Sequence, residues 1–254
     1  SEYRAPAGSQ IVPRRLDFED PTTYQTAFER ARKLFLVRPP ALSDVKRWVL
    51  PALEMAREQG VEHVVFLSLL GAERNRVVPH RAIEDYLRQS GMAWTFLRAS
   101  FFMQNLTTTH LAEIRDRSEI MVPAGDGRTS FVDVRDVGAV AARALLEEGH
   151  HQRAYDLTGS EALTYGEAAD ILSEALGRKV RYERPGLLLF VRHMRGLGHP
   201  WPFILVTAGI YTSARLALAG RVTDDVERLL GRPPLSFREF ARDHRQLWLR
   251  SSEA

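Results

Sequence analysis

Apolar and polar residues at positions 63–106 follow a pattern typical of an α/β protein. The run His63–Leu69 is almost entirely apolar and rich in Val and Phe, as expected of a strand covered on both faces. Apolar residues then recur at helical spacing over Pro79–Ser90, and Gly91 follows as a stop signal. A second strand is predicted at Ala93–Arg98. Ligands of open parallel sheets bind beyond the carboxyl ends of the strands, so this segment is predicted to line a nucleotide or substrate cleft.

Strands and helices alternate three times over residues 10–100, which predicts a doubly wound parallel sheet with right-handed crossovers. The upstream elements are a short apolar element, a helix, a strand and a second helix: Gln10–Leu16, Asp20–Ala31, Lys33–Val37 and Ser43–Gln59. The downstream helices are predicted at Thr109–Arg117, Asp136–Glu148, Thr164–Gly177, Thr223–Leu230 and Ser236–Trp248, with two more inside 185–218. Short strands are predicted at Glu119–Pro123, Ser130–Val134, Ala154–Thr158 and Lys179–Glu183.

Composition narrows the class of protein. The chain has 254 residues, enough for one large α/β domain with a small appendage. It contains no cysteine, which excludes disulfides, thiol nucleophiles and Cys-ligated metals. No apolar run is long enough to span a membrane and no secretory signal is visible, so we expect a soluble cytoplasmic protein without a membrane partner.

The net charge of +3 comes mainly from arginines, because Lys occurs only at positions 33, 46 and 179. Arginine suits bidentate recognition of phosphate and carboxylate groups. The basic residues are interspersed with acids and form no stripe, so we expect no direct nucleic-acid partner. His150 and His151 are adjacent and cannot easily converge on one ion; we interpret them as an exposed loop and predict no metal site.

Several ordered runs then carry a family resemblance. They are VVFLSLLGAE, IEDYLRQSGMAWTFLRASFFMQNL, PAGDGRTSFVDVRDVGAVAARAL, YDLTGSEALTYGEAADILSEALGRKV and VTDDVERLLGRPPLSFREFARDHRQLW. Together they resemble the NmrA-like family of atypical short-chain dehydrogenases/reductases, from Gln10 to the C-terminus. The resemblance implies a Rossmann-like domain over 1–150 that binds NADP or NAD. It implies a smaller α/β substrate or interface region over 151–254, with some segments interleaved.

The resemblance implies two functions. The first is an NAD(P)H-dependent oxidoreductase of quinone, azo or small carbonyl compounds. The second is a non-catalytic sensor of the cofactor's redox state that regulates a partner protein. The apolar, aromatic segment 185–218 suits either a cover over a substrate pocket or an interface with a protein partner or a second copy.

A protein of this type opens with a strand, a GxxGxxG loop and a helix that together hold the pyrophosphate. The chain contains no such motif, since its close pairs Gly125/Gly127 and Gly196/Gly198 follow no buried strand that opens a helix. The first residue is Ser1. We therefore expect an N-terminally truncated copy that lacks the first strand, Gly-rich loop, first helix and second strand. The alternative is a lineage that has lost cofactor binding.

The resemblance places eight residues around the cofactor. Asp17 lies on the adenine side, Arg38 and Pro39 near the ribose and phosphates, and Ala99, Phe101 and Phe102 around the nicotinamide; Ser68 and His80 complete the set. Each has a structural alternative. Asp17 belongs to a loop, Arg38 precedes a Pro pair on the surface, and one of the two phenylalanines is a core aromatic. Asp20 and Asp136 are interpreted as helix caps, while Arg128 and Asp133 lie in the block that closes the cleft.

Catalysis by the superfamily's Tyr–Lys pair is not expected. Ser68 occupies the place of the catalytic Ser, but the places of Tyr and Lys are held by Arg76 and His80. An arginine cannot serve as an acid at neutral pH, because its pKa lies above about 12. His80 either contacts the nicotinamide ribose, which we favour, or donates a proton, or is a partly exposed helix residue. Glu84 either orients His80 or pairs with Arg98, the interpretation we favour, and no catalytic residue is assigned.

Overall fold

A computed structural model describes residues 10–40 and 42–249 of the chain. The sequence predicts that the chain opens with the loop-like stretch SEYRAPAGSQ, of which residues 1–9 lie outside the described residues. Contacts divide the chain into two compact units. The first unit comprises Ser1–Phe96 with Ala144–Ala154, and the second comprises Leu97–Arg143 with Tyr155–Ala254.

The described residues form eight strands and ten α-helices. The strands are β1 (Lys33–Leu36), β2 (His63–Leu69), β3 (Ala93–Ala99), β4 (Glu119–Ile120), β5 (Arg128–Thr129), β6 (Arg153–Leu157), β7 (Leu163–Thr164) and β8 (Arg181–Tyr182). The helices are α1 (Tyr24–Phe28), α2 (Val45–Glu58), α3 (Pro79–Gln89), α4 (Val134–Leu146), α5 (Tyr165–Leu176), α6 (Leu187–Gly196), α7 (Trp201–Arg215), α8 (Asp225–Leu230), α9 (Phe237–Asp243) and α10 (Arg245–Trp248).

The main sheet has the strand order β1-β2-β3-β6. Strand β1 pairs with β2 in parallel, with Lys33 opposite His63 and Leu36 opposite Phe66. Two further pairs, β4 with β8 and β5 with β7, form small sheets. The predicted α/β class with a parallel, Rossmann-like sheet is therefore confirmed.

The first unit has its own core, built from β2 and the helices next to it in sequence. Val64 and Phe66 of β2 are completely buried, as are Ile83 and Leu87 of α3. This burial explains why a nearly continuous apolar run predicts β2 correctly. Helix α2 begins where the Asp44 side chain accepts a hydrogen bond from the Arg47 backbone N–H at 3.1 Å.

The second unit has a separate core whose largest buried side chain is Trp248. Its indole N–H donates to the Leu106 carbonyl at 3.0 Å. Helices α5 and α9 both begin with capping boxes, at Thr164 and Ser236 respectively. The two helices predicted inside 185–218 form as α6 and α7.

Several predicted elements are wrong. Residues 10–16 form no strand in the described part of the chain, because Pro13 interrupts the run and Ile11 and Val12 remain exposed. The strand predicted at Ser130–Val134 is replaced by β5 and a single bridge between Phe102 and Val132. The helix predicted at Thr109–Arg117 shortens to a π-helical turn over Glu113–Arg117.

Two predicted caps lie elsewhere. Asp136 sits inside the first turn of α4, and the Asp133 carboxylate instead accepts from the Arg135 backbone N–H at 2.8 Å. Asp224, not Thr223, precedes α8. The predicted exposed His pair is half wrong. His150 is buried and its carbonyl accepts from Thr95 Oγ1, whereas His151 is exposed.

Candidate functional site

Arg38 lies two residues after Leu36, the last residue of β1, at the carboxyl end of the strand. Its Nη1 group donates to three carbonyls of its own loop: Pro39 at 2.8 Å, Pro40 at 3.2 Å and Leu42 at 2.8 Å. Its Nε atom is buried and has no hydrogen-bond partner among the described residues. The guanidinium therefore holds the loop together through one nitrogen and leaves a second donor unsatisfied. Burial lowers the pKa of Arg38.

His80 lies in the first turn of α3 and is half-buried. Its ring stacks on Phe66, with centroids 5.9 Å apart and an interplanar angle of 27°. The Nδ1 atom is buried without a partner in residues 10–40 and 42–249. Burial, assisted by the Arg38 charge and opposed by Glu84, lowers the pKa of His80 to about 4. The imidazole is consequently neutral at neutral pH.

Ser68, Glu84 and Arg88 form a chain of polar contacts beside His80. The buried Ser68 hydroxyl donates to Glu84 Oε1 at 2.7 Å, and Arg88 Nη2 donates to Glu84 Oε2 at 2.9 Å. The Glu84 side chain is completely buried. Ser68 thus commits its proton to Glu84 and keeps only acceptor capacity. The predicted pairing of Glu84 with Arg98 stays a prediction.

The Asp17 carboxylate contacts only residues close to it in sequence, among the described residues. Its carboxylate accepts from the Glu19 backbone N–H at 3.0 Å and from Arg15 Nη2 at 3.2 Å. This is the geometry of an Asx turn. Asp20 caps the following 3₁₀ turn as predicted, accepting from the Thr22 backbone N–H at 3.2 Å. Asp17 thus shapes the entry to this turn, and its role toward an adenine stays a prediction.

The end of β3 and the residues after it belong to the second unit. Ala99 is buried, and the next residue, Ser100, donates its backbone N–H to Leu157 at 2.9 Å. Phe101 and Phe102 are both half-buried, and Phe101 packs against the core of this unit. Phe101 is therefore the core aromatic that the sequence analysis expected one of the two phenylalanines to be.

The two buried nitrogens without a hydrogen-bond partner among the described residues, Arg38 Nε and His80 Nδ1, indicate whether the first unit could bind a nucleotide. Arg38 Nε–H is always a donor, and His80 Nδ1 is a donor in one of its neutral tautomers. A buried polar group without a partner costs roughly 1–3 kcal/mol, so both atoms suit a ligand rich in oxygen. Ribose hydroxyls and phosphate oxygens meet that requirement. Because the chain has no GxxGxxG loop, this fit concerns the sugar side of a dinucleotide and not a pyrophosphate cradle.

Sequence reasoning missed a buried polar network in the second unit. Glu113 accepts from His110 Nδ1 at 2.9 Å and from His193 Nε2 at 2.5 Å. The Tyr211 hydroxyl lies 2.6 Å from His110 Nε2. The only local signal was the spacing of His110 and Glu113, three residues apart on a predicted helix. Their partners, His193 on α6 and Tyr211 on α7, are far away in sequence, and no sequence pattern identified them.

Arg128 and Asp136, from the segment predicted to close the cleft, form ion pairs and hydrogen bonds with other residues of the protein. Arg128 pairs with Glu167 of the α5 capping box at 3.0 Å. The buried Asp136 carboxylate accepts from Arg232 Nη2 and from the Leu235 backbone N–H, both at 2.7 Å. These contacts hold segments of the second unit together. Among the described residues, no group of acidic or histidine side chains could hold a metal ion, and no helix is long and apolar enough to cross a membrane.

Comparison with known proteins gives consistent relatives. An NAD(P)H azoreductase from Xenophilus azovorans is 35% identical over 232 residues, which cover 90% of this chain and 80% of that protein. An uncharacterized oxidoreductase from Bacillus subtilis (strain 168) is 32% identical over 231 residues, covering 89% and 79%.

Fold comparison agrees with the sequence relatives. The crystal structure of the Citrobacter sp. triphenylmethane reductase complexed with NADP(H) matches with a TM-score of 0.78 at 28% identity, covering 91% of this chain and 82% of that one. Residues 6–205 match the model of the NmrA-like family. The predicted resemblance is thereby confirmed, and the chain belongs to the NmrA-like family.

Proposed function

We propose that the chain is an NAD(P)H-dependent oxidoreductase that reduces a small organic acceptor. The observation that carries the proposal is the pair of buried, unsatisfied nitrogens on Arg38 and His80, next to the carboxyl end of β1 and on the helix after β2. Ligands of parallel α/β sheets bind at that edge. The azoreductase relative and the NADP(H)-bound reductase structure support a nicotinamide dinucleotide as the ligand.

In this proposal His80 contacts the cofactor and is not the acid. A pKa of about 4 leaves its imidazole neutral at neutral pH, so it carries no spare proton to deliver. A neutral imidazole still donates one N–H to a ribose hydroxyl. Arg38 Nε offers a second donor on the same side. The nicotinamide contacts proposed for Ala99, Phe101 and Phe102, and the adenine contact proposed for Asp17, rest on the family resemblance alone.

The missing Tyr–Lys pair favours particular acceptors. The reduced nicotinamide supplies a hydride when bound, and the acceptor must also gain a proton. Reduction of a simple carbonyl develops an alkoxide, a strong base that needs a positioned acid. Reduction of a quinone develops a phenolate, which is a much weaker base that water can protonate after the transfer. We therefore propose quinones, or azo compounds with similarly stabilised products, ahead of simple carbonyls.

The sensor alternative receives no support from the relatives named above. They are described as an azoreductase, an oxidoreductase and a triphenylmethane reductase. The absence of the Tyr–Lys pair, taken alone, favours a non-catalytic sensor over a carbonyl reductase. The absent pair does not exclude an oxidoreductase, because reduction of a quinone does not require a Tyr–Lys pair.

The test is a binding titration followed by an acceptor panel. NADPH and NADH are titrated separately into the protein, and each is then supplied with a quinone, an azo dye or an aldehyde while the reduced-nicotinamide absorbance is followed. We expect saturable binding and turnover fastest with the quinone or the azo dye. His80→Ala should weaken cofactor binding about tenfold, the value of one hydrogen bond of roughly 1.4 kcal/mol.

His244→Ala is the matched control. His244 lies in the second unit, just after α9, where its Nδ1 atom is hydrogen-bonded to the Phe240 carbonyl at 3.0 Å and its ring packs on Phe240. It should leave cofactor affinity unchanged. Absence of binding by both nucleotides, or equal affinity in His80→Ala and the unmodified protein, would overturn the proposal. Tight binding without turnover of any acceptor would restore the sensor.

A further inference from the structure

Helix α7 is apolar on both its inner and its outer face. Its inner face packs into the core of the second unit through four buried residues: Ile204, Ala208, Tyr211 and Ala214. Its outer face exposes four large apolar side chains: Trp201, Leu205, Val206 and Ile210. A helix at a protein–water boundary normally carries polar residues on its outer face. An outer face of this kind indicates that something other than water covers it.

The exposed apolar face extends beyond α7. Helix α6, which packs against α7, exposes three consecutive leucines, 187–189, and Leu188 is 88% exposed. The segments after each helix expose Leu197, Leu216 and Leu218. We refer to these exposed apolar residues of 187–218 as the α6–α7 surface. Exposed apolar side chains concentrated in this way mark an interaction site more often than isolated ones do.

The charges on this surface have one sign. The chain contains 32 acidic residues, yet none lies between Glu183 and Asp224. Arg192, Arg195 and Arg215 are exposed and form no ion pair with any residue that the structure describes. The Arg195 guanidinium lies over the Trp201 ring, 5.2 Å from its centroid. The α6–α7 surface thus combines leucines and an exposed Trp with uncompensated positive charge.

We propose that the α6–α7 surface binds peripherally to an anionic lipid bilayer. Exposed Leu and Trp side chains, together with arginines that can meet lipid phosphates, are the combination that holds a helix in the plane of a membrane interface. Helix α7 has 15 residues and is about 22 Å long, short of a hydrocarbon core of about 30 Å. It would therefore lie along the bilayer and not cross it. The proposal revises the sequence-based expectation of no membrane partner, which rested on the lack of a span.

A second copy of the chain is the competing occupant. A two-fold contact would place the same surface on both sides, so each copy would bring the same arginines and no carboxylate from this segment. Like charges across an interface are unfavourable, whereas the phosphates of an anionic bilayer supply the missing counter-charge. Charge complementarity therefore favours the lipid surface.

The test is vesicle flotation with the full chain. One set of vesicles is phosphatidylcholine alone, and the other also contains phosphatidylglycerol. We expect the protein to float with the anionic vesicles and much less with the neutral ones. High salt should reduce the binding, because screening weakens the attraction between guanidinium groups and lipid phosphates.

Variants identify the surface. Leu188→Gln and Arg192→Gln should each reduce binding to anionic vesicles, the second by about fivefold for one guanidinium. The matched controls are Val77→Gln and Arg153→Gln, at exposed positions in the first unit. They should bind like the unmodified protein. Thermal unfolding of all four verifies that each variant is folded.

Three results would overturn the proposal. The first is equal binding to neutral and anionic vesicles, or binding to neither. The second is unchanged vesicle binding by Leu188→Gln and Arg192→Gln. The third is a concentration-dependent dimer in sedimentation velocity that Leu188→Gln abolishes, which would assign the surface to a second copy.

Discussion

Replacing Glu113 by Gln should destabilise the protein by on the order of 3 kcal/mol at neutral pH. The carboxylate is 3% exposed and accepts one hydrogen bond from each of two histidines, His110 and His193. His110 is held in place on its other side by Tyr211. Glutamine preserves the shape of the side chain but turns one acceptor oxygen into an NH₂ donor. One histidine N–H then faces another donor in a buried site.

The magnitude follows from two losses. A hydrogen bond to a charged group contributes about 1.5–3 kcal/mol, and an unsatisfied buried donor costs about 1–3 kcal/mol more. The pH dependence has a definite sign. Burial by itself raises the pKa of Glu113, but hydrogen bonds and charges from His110 and His193 outweigh it and lower the pKa below its ordinary 4.5. The carboxylate's contribution is therefore complete above pH 4.5 and is lost as pH falls through the lowered pKa.

The assay is urea unfolding followed by circular dichroism, at neutral pH and at several values below 4.5. Glu161→Gln is the matched control, since Glu161 is exposed in the same unit and should change the free energy of unfolding by less than about 0.5 kcal/mol. A Glu113→Gln variant as stable as the control at neutral pH would refute the reasoning. So would a stability difference that grows as the pH falls.

Three further predictions concern stability. Burial lowers the pKa of both His63 and His80 from 6.5 to about 4, so their contribution to stability should be complete above pH 6.5 and should decline as the pH falls to 4. Urea unfolding at several pH values in that range measures this decline, and His80→Asn should make the free energy of unfolding depend less on pH. Gly127→Ala would set a Cβ against the Ala214 carbonyl oxygen of α7 and should cost about 1–3 kcal/mol in urea unfolding. Gly138→Ala, with open space inside α4, should instead gain about 0.5–1 kcal/mol. Thr164→Ala should lower the melting temperature by removing a capping box worth about 1 kcal/mol.

Local sequence patterns predicted those elements whose stability is itself local. The capping boxes at Thr164 and Ser236 are closed by residues three positions away, so the start of α5 and α9 could be read directly. The apolar run at His63–Leu69 predicted β2 because burial on both faces leaves only one pattern. Gln10–Leu16 has a much weaker pattern, since Pro13 and two arginines interrupt its apolar residues, and it forms no strand.

In the candidate site, too, the features set by local sequence were predictable and those set by tertiary packing were not. The sequence placed Arg38 at the carboxyl edge of the sheet, because that position depends only on where β1 ends. The placement of His80, which lies in α3, came from the family resemblance. It did not predict that Arg38 binds three carbonyls of its own loop, which depends on the path of that loop. The partners of Glu113 were also out of reach, since His193 is 80 residues away in sequence. Contacts of this kind are set by how α6 and α7 pack.

The two proposals rest on different compact units, so each can be tested without the other. Cofactor contacts assigned to Arg38 and His80 belong to the first unit, whereas the α6–α7 surface belongs to the second. His80→Ala should therefore weaken nucleotide binding and leave vesicle flotation unchanged. Leu188→Gln should weaken vesicle flotation and leave nucleotide binding unchanged, because a leucine that is 88% exposed contributes to neither core. A variant that lost both properties together would indicate unfolding or coupling between them, and melting curves would distinguish the two.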